Sequence, residues 1–145
     1  MIRARRVPPL LSRAAGHGIY RVLLLDSDGE ILGHYDDEGD GAGLDAAAAG
    51  RKERIMAVGA AALGSIVTNV VGDYDRAGYD LLGMGAAGPL GSLVVETDAA
   101  RIGVSSAGGG YYVVCVADVM AELGLVRSRL AALALHVGES LSLLR

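Results

Sequence analysis

Between Arg51 and Val71 the chain places bulky apolar residues at Ile55, Met56, Val58, Leu63, Ile66, Val67, Val70 and Val71. Projected as one helix, they spread over roughly 220° of its circumference. A helix that packs on a single core shows a stripe only about 100° wide. The C-terminal segment provides the contrast: Val126, Leu130, Leu133, Ala134, Val137, Leu141 and Leu144 all fall within roughly 100°. One predicted helix is therefore one-sided and the other two-sided. The surplus face of the middle helix requires a partner, most economically a second subunit, because large exposed apolar patches are unusual on soluble monomers.

The remaining pattern predicts an α-β-β-α-β-β-β-α order of elements, an α+β domain spanning residues 1–145 behind a flexible tail at 1–8. Pro8 and Pro9 suit the first turn of a short helix through Leu10, Leu11 and Ala14, which Gly16 and Gly18 stop. A strand over Ile19 to Leu25 turns at Asp26-Ser27-Asp28-Gly29 into a shorter strand, Glu30 to Tyr35. The acidic segment Asp36 to Gly43 reads as a solvated loop, and Asp45 before four alanines reads as the N-cap of the long helix. That helix is expected to end near Val71, with a loose segment from Gly72 to Pro89. Three strands follow in a meander, Ser92 to Thr97, Arg101 to Ser105 and Tyr111 to Ala117, before a last helix from Leu123.

Burial patterning orders these strands. Ile19 to Leu25 and Tyr111 to Ala117 are nearly continuous apolar runs, as strands covered on both faces require, so they should be central neighbours. The spatial order is then second, first, fifth, fourth, third, in a mostly antiparallel five-stranded sheet with helices on both faces. Leu93-Val94-Val95 falls on an edge, where an apolar strand is a liability unless another chain pairs with it.

Composition narrows the function. The 145 residues carry a net charge of −4, 52% hydrophobic residues, and neither Phe nor Trp. A nucleic-acid surface needs a basic stripe and, commonly, stacking rings, so none is expected. The single cysteine, Cys115, excludes a disulfide framework and points to a reduced, intracellular setting. The N-terminus has too short an apolar stretch for a secretory signal, and no run approaches a membrane span. With Ile2 in place of glycine and no terminal Cys box, no lipidation is written in the sequence. Membrane association would have to come from another subunit.

Chemical motifs fail on context. Gly83-Met84-Gly85-Ala86-Ala87-Gly88 matches G-x-G-x-x-G, but Pro89 and a strand follow where a dinucleotide site needs a helix N-terminus. Gly103-Val104-Ser105-Ser106-Ala107 lies in a β-meander, without the strand-to-helix turn of a nucleophile elbow. Asp73, Asp75 and Gly78 have calcium-loop spacing, yet Met84 stands where the bidentate carboxylate belongs. His17, His34 and His136 are too dispersed for a metal or catalytic cluster. No enzyme activity, metal or cofactor is expected.

The order of elements, together with Leu23-Leu24-Leu25-Asp26-Ser27-Asp28-Gly29-Glu30-Ile31-Leu32, Gly91 to Asp98 and Gly124-Leu125-Val126-Arg127, resembles the roadblock family of dynein-light-chain-type domains. Tyr74-Asp75-Arg76-Ala77-Gly78, Leu10 to Ala14 and Leu23 to Leu25 place the resemblance nearest the roadblock subunits of Ragulator, the late endosomal/lysosomal adaptor of MAPK and TOR signalling. The resemblance implies a non-catalytic scaffold that heterodimerises with a second roadblock subunit. With a lipidated membrane-anchor subunit, it would recruit Rag-type small GTPases to the late endosome or lysosome. The implied interface comprises the third strand (Leu93, Val94, Val95, Glu96) and the second helix (Met56, Gly59, Leu63, Ile66, Val67, Val70). The resemblance also admits a homodimer regulating a Ras-like GTPase by hydrolysis or exchange, and a dynein light chain.

Overall fold

The computed structural model describes residues 11, 16, 18–26, 28–36, 46–82, 92–97, 100–108 and 110–143, with backbone alone for 60, 74–82 and 141–143. Its elements are β1 (Ile19–Leu25), β2 (Ile31–Asp36), α1 (Ala46–Ala57), α2 (Ala60–Leu82), β3 (Ser92–Glu96), β4 (Ala100–Gly108), β5 (Tyr111–Asp118) and α3 (Leu123–Leu143). The five strands form one sheet in the order β2-β1-β5-β4-β3, every neighbour antiparallel. This is the order expected from burial patterning. The N-terminal tail, the first short helix apart from Leu11, the Asp45 cap, the acidic loop beyond Asp36 and the Gly83 to Gly88 loop lie outside the described residues.

Turn chemistry explains the hairpins. In the β1–β2 turn, Asp26 Oδ1 accepts the backbone N–H groups of Asp28 and Glu30, both at 2.9 Å. Gly29 there adopts φ +84, the left-handed conformation that glycine reaches without a Cβ penalty. At the β3–β4 turn Ala100 N–H donates to Thr97 Oγ1 at 3.0 Å.

Period-two alternation divides the sheet between two cores. On one face Ile19, Val22, Leu24, Val113, Cys115 and Ala117 pack with Val126, Leu130, Leu133, Ala134 and Val137 of α3. The described part of the predicted α3 stripe is thus buried as a unit. On the other face Leu23, Leu25, Ile102, Val104, Val114 and Val116 pack with Ile55 of α1 and Leu63, Val67 and Val71 of α2. Between Ile19 and Arg21 the β1–β5 register shifts, and Tyr20 joins this second core.

The middle of the chain departs from expectation in two ways. The single predicted helix is two helices, whose axes turn by 85° between Ala46–Ala57 and Ala61–Asp73. The break falls at Val58–Gly59, where glycine weakens helix propagation by about 1 kcal/mol relative to alanine. This bend accounts for much of the wide apolar arc: Ile55 on α1 and Leu63, Val67 and Val71 on α2 all meet the same sheet face because the axis turns between them. Second, the segment after Val71 is not loose, since α2 continues to Leu82. Gly72 sits in open space, where one unfavourable propensity does not stop a helix already anchored by Leu63, Val67 and Val71.

Among the described residues no single helix is long and apolar enough to cross a membrane; α1 and α2 reach that length and hydropathy only when counted together across their bend.

Candidate protein interface

The fifth strand in the sheet order, β3, is hydrogen-bonded to β4 along one side and, among the described residues, has no strand on the other. Leu93 packs against the α1/α2 core, so alternation puts Val95 on that same face and Val94 on the α3 face. All three are only half-buried. An apolar strand with an open backbone edge is a ready template for pairing with another chain. Glu96, the last predicted member of the strand, lies opposite Arg101 and forms an ion pair with it at 3.0 Å. That cross-strand pair ties the end of β3 to β4 and leaves the outer edge open.

On α2 the predicted interface residues separate into two groups. Leu63 and Val67 are 4% and 3% exposed in the chain's own core, so they face the sheet and are not available to a partner. Ile66 is 48% exposed, Val70 is half-buried, and Ala61, Ala62, Ser65, Asn69 and Gly72 lie on the exposed side with Ile66. At the bend Met56 is half-buried against the core, whereas Val58 and Gly59 are exposed. The surplus apolar surface is therefore smaller than the helical projection implies. It is concentrated at Val58, Ile66 and Val70 on the helices and at Leu93 to Val95 on the sheet edge. Reading bulky apolar positions left out the small and polar members of the α2 outer face, Ala62, Ser65 and Asn69.

Two arginines, Arg21 buried and Arg51 half-buried, fix the helices that carry this surface. Arg51 of α1 donates from Nε and Nη2 to the Asp118 carboxylate at the end of β5, at 2.6 and 3.1 Å. Arg21 of β1 holds Asp36 of β2, Nε to Oδ1 at 2.8 Å, and reaches across to the bend. There its Nη2 donates to the Met56 carbonyl at 3.2 Å and its Nη1 to the Val58 carbonyl. A lone charge inside the apolar run Ile19 to Leu25 was the available signal for Arg21; no local pattern indicates its partners, 35 and 37 residues away. Above Tyr20, next along β1, Lys52 Nζ lies 5.1 Å from the ring centroid, a cation–π distance.

The polar groups beside α2 are engaged within the fold. A cavity of about 300 Å³ lies between α2 and the end of β1, lined by Leu25, Asp26, Val67, Thr68, Val71, Gly72 and Tyr112. Its Asp26 carboxylate is engaged in the hairpin turn and its Thr68 hydroxyl donates to the Gly64 carbonyl at 2.8 Å. Among the described residues no three His, Cys, Asp or Glu side chains gather as metal ligands. Cys115 is fully buried in the α3-facing core, and that burial pushes its thiol up to about 12, against an opposing pull from Arg129.

No protein-family profile and no curated protein matches this sequence, but its fold is shared with solved structures. A roadblock/LC7 domain from Streptomyces avermitilis superposes with a TM-score of 0.68 at 21% identity, covering 93% of this chain and 97% of that one. MglB from Myxococcus xanthus superposes at 0.71 with 16% identity, over 100% of this chain and 96% of that one. An MglB solved in a tetrameric arrangement superposes at 0.70 with 19% identity, over 94% and 88%. The chain has the roadblock/LC7 fold.

Proposed function

We propose that this roadblock-fold chain is a non-catalytic adaptor subunit that pairs with a second roadblock subunit through the outer edge of β3 and the outward face of α2. The open, half-buried apolar edge Leu93-Val94-Val95 carries this reading, because it supplies both unpaired backbone groups and apolar side chains to the same partner. The exposed Ile66 on α2 supports it. The Tyr74 to Gly78 motif, in the second half of α2, supports the Ragulator branch of the family. On that branch the paired subunits, with a lipidated anchor subunit, hold Rag-type small GTPases on the late endosome or lysosome for TOR and MAPK signalling.

The test is affinity capture of the tagged chain from its own cells with quantitative mass spectrometry, beside Val95→Asp and Ile66→Asp variants. Wild type should recover a second roadblock subunit, Rag-type GTPases and a lipidated anchor. Each variant should lose the roadblock partner while keeping its circular dichroism spectrum, since burying an unpaired charge in the interface costs several kcal/mol, on the order of a hot spot. Undiminished pairing by both variants would sink the proposed surface. The tetrameric arrangement of one MglB favours a second reading, self-association through the same edge. Sedimentation equilibrium of the pure chain separates the two, a monomer favouring the heterodimer and a concentration-dependent dimer the homodimer.

A further inference from the structure

We infer that the cavity between α2 and the end of β1 is a pocket for a lysine side chain presented by a partner protein. Its apolar walls come from Leu25, Val67, Val71 and Tyr112. Leu25 and Tyr112 are cross-strand neighbours on β1 and β5, and Val67 and Val71 lie one helical turn apart on α2. The next row of the helix, Thr68 and Gly72, ends in a residue without a side chain, which leaves the space unfilled. A Cβ at Gly72 would meet nothing within 4 Å, and Gly72 is exposed, so the cavity opens on the outward side of α2. At about 300 Å³ it is at the small end of ligand pockets, which suits one long side chain better than a large cofactor.

The aspartate and threonine of the lining offer a ligand acceptors only. Thr68 spends its hydroxyl proton on the Gly64 carbonyl at 2.8 Å, which leaves its lone pairs. Asp26 receives the N–H groups of Asp28 and Glu30 on Oδ1, which leaves Oδ2 for a further donor. No Lys, Arg or His of the described residues lines the cavity, and Asp28 and Glu30 are exposed on the same turn, so the local potential is negative. A bare divalent cation is a poor match. It takes about six oxygens, whereas no three carboxylate, imidazole or thiol side chains gather among the described residues. A lysine matches both halves: its aliphatic stem lies along the apolar walls and its ammonium donates to Asp26 and Thr68. The Tyr112 ring adds an electron-rich face for the cation. The site calls for a protein partner, as the adaptor reading does, but not for pairing at β3, so loss of either leaves the other standing.

The pure full-length chain, isotope-labelled for heteronuclear NMR, is titrated separately with n-butylammonium, with Nα-acetyl-lysine N-methylamide and with n-butanol. The amide signals of Thr68, Gly72 and Tyr112 are followed. Both cations should shift them saturably at about millimolar concentration, the range open to ligands so small. The neutral n-butanol, with the same stem, should require at least about tenfold more. Asp26→Asn keeps an Oδ1 acceptor for the two turn N–H groups and is at home in turns; it should weaken both cations about tenfold. Equal response to n-butanol and the cations in wild type overturns the pocket, whether or not the variant folds. Shifts confined to Asp28 and Glu30, the mark of ion pairing at the surface alone, overturn it too. Binding of n-butylammonium without the lysine derivative overturns the lysine assignment in favour of a free amine.

Discussion

Replacing Gly64 by alanine tests how α2 is seated. A Cβ at Gly64 would stand 2.8 Å from the carbonyl oxygen of Gly29, a backbone atom held in the β1–β2 turn by hydrogen bonds on both sides. Real Cβ atoms essentially never come within 3.0 Å of such an atom, so either the hairpin or the helix must shift. Overpacking of this kind costs about 1–3 kcal/mol. The same substitution also raises helix propensity by up to about 1 kcal/mol, so Gly64→Ala alone conflates two opposing effects. Gly72→Ala on the same helix isolates them, because a Cβ there meets nothing within 4 Å. Propensity cancels in the comparison and the clash remains. Urea denaturation followed by circular dichroism should therefore place Gly64→Ala about 1–3 kcal/mol below Gly72→Ala, with Gly72→Ala at or above wild type. For a domain of this length each kcal/mol corresponds to about 2–4 °C in Tm, so scanning calorimetry should show a gap of roughly 2–12 °C. Equal stability of the two variants would refute the close approach of α2 to the hairpin.

The other expectations concern the buried charges and the thiol. Arg51→Met should destabilise the chain by about 3 kcal/mol, the low end for breaking a buried pair, because the Arg51 and Asp118 side chains are 19% and 9% exposed. Adding Asp118→Leu should recover much of that loss in a double-mutant cycle, and a single-mutant effect within about 0.5 kcal/mol of zero would show that the pair is not buried in solution. Cys115 should resist alkylation at neutral pH until the chain is unfolded, as a buried, protonated thiol does. Because its thiol is raised from 9.0 to about 12 in the fold, its contribution is fully present below pH 9 and declines as pH rises from 9 toward 12, where the unfolded chain releases a proton that the folded chain retains. Cys115→Ala should therefore flatten the alkaline loss of stability in pH-resolved denaturation; an unchanged slope would count against the raised thiol.

The surface strand Leu93 to Val95 and the α3 stripe were both legible in the sequence, because each follows a local period that a core-facing strand or helix must keep. Of the ten residues proposed for the interface, Leu63 and Val67 instead lie in the chain's own core. Helical projection treats Arg51 to Val71 as one cylinder, and it assigned Leu63 and Val67 to the same partner as Ile66. The bend reorients everything downstream of Val58, so that the first two fall on the sheet and Ile66 does not. Glu96 was correctly placed on the edge strand, but its cross-strand partner Arg101 emerged only from the register.

What the sequence determined by itself is the order of the elements, the two central strands, the hairpin at Asp26 to Gly29 and the one-sidedness of the last helix. All of these follow from alternation, helical periodicity and turn residues within short windows. The tertiary structure decided where the middle helix breaks, which of its faces remains outside, and which carbonyls Arg21 holds. Those outcomes depend on a guanidinium, a carboxylate and two carbonyls from three segments of the chain meeting in one place, and on the absence of a Cβ at Gly64 that lets α2 lie against the hairpin. Each is a contact between parts of the chain whose local preferences are indifferent to one another, so the energy that selects them arises only once the sheet has assembled.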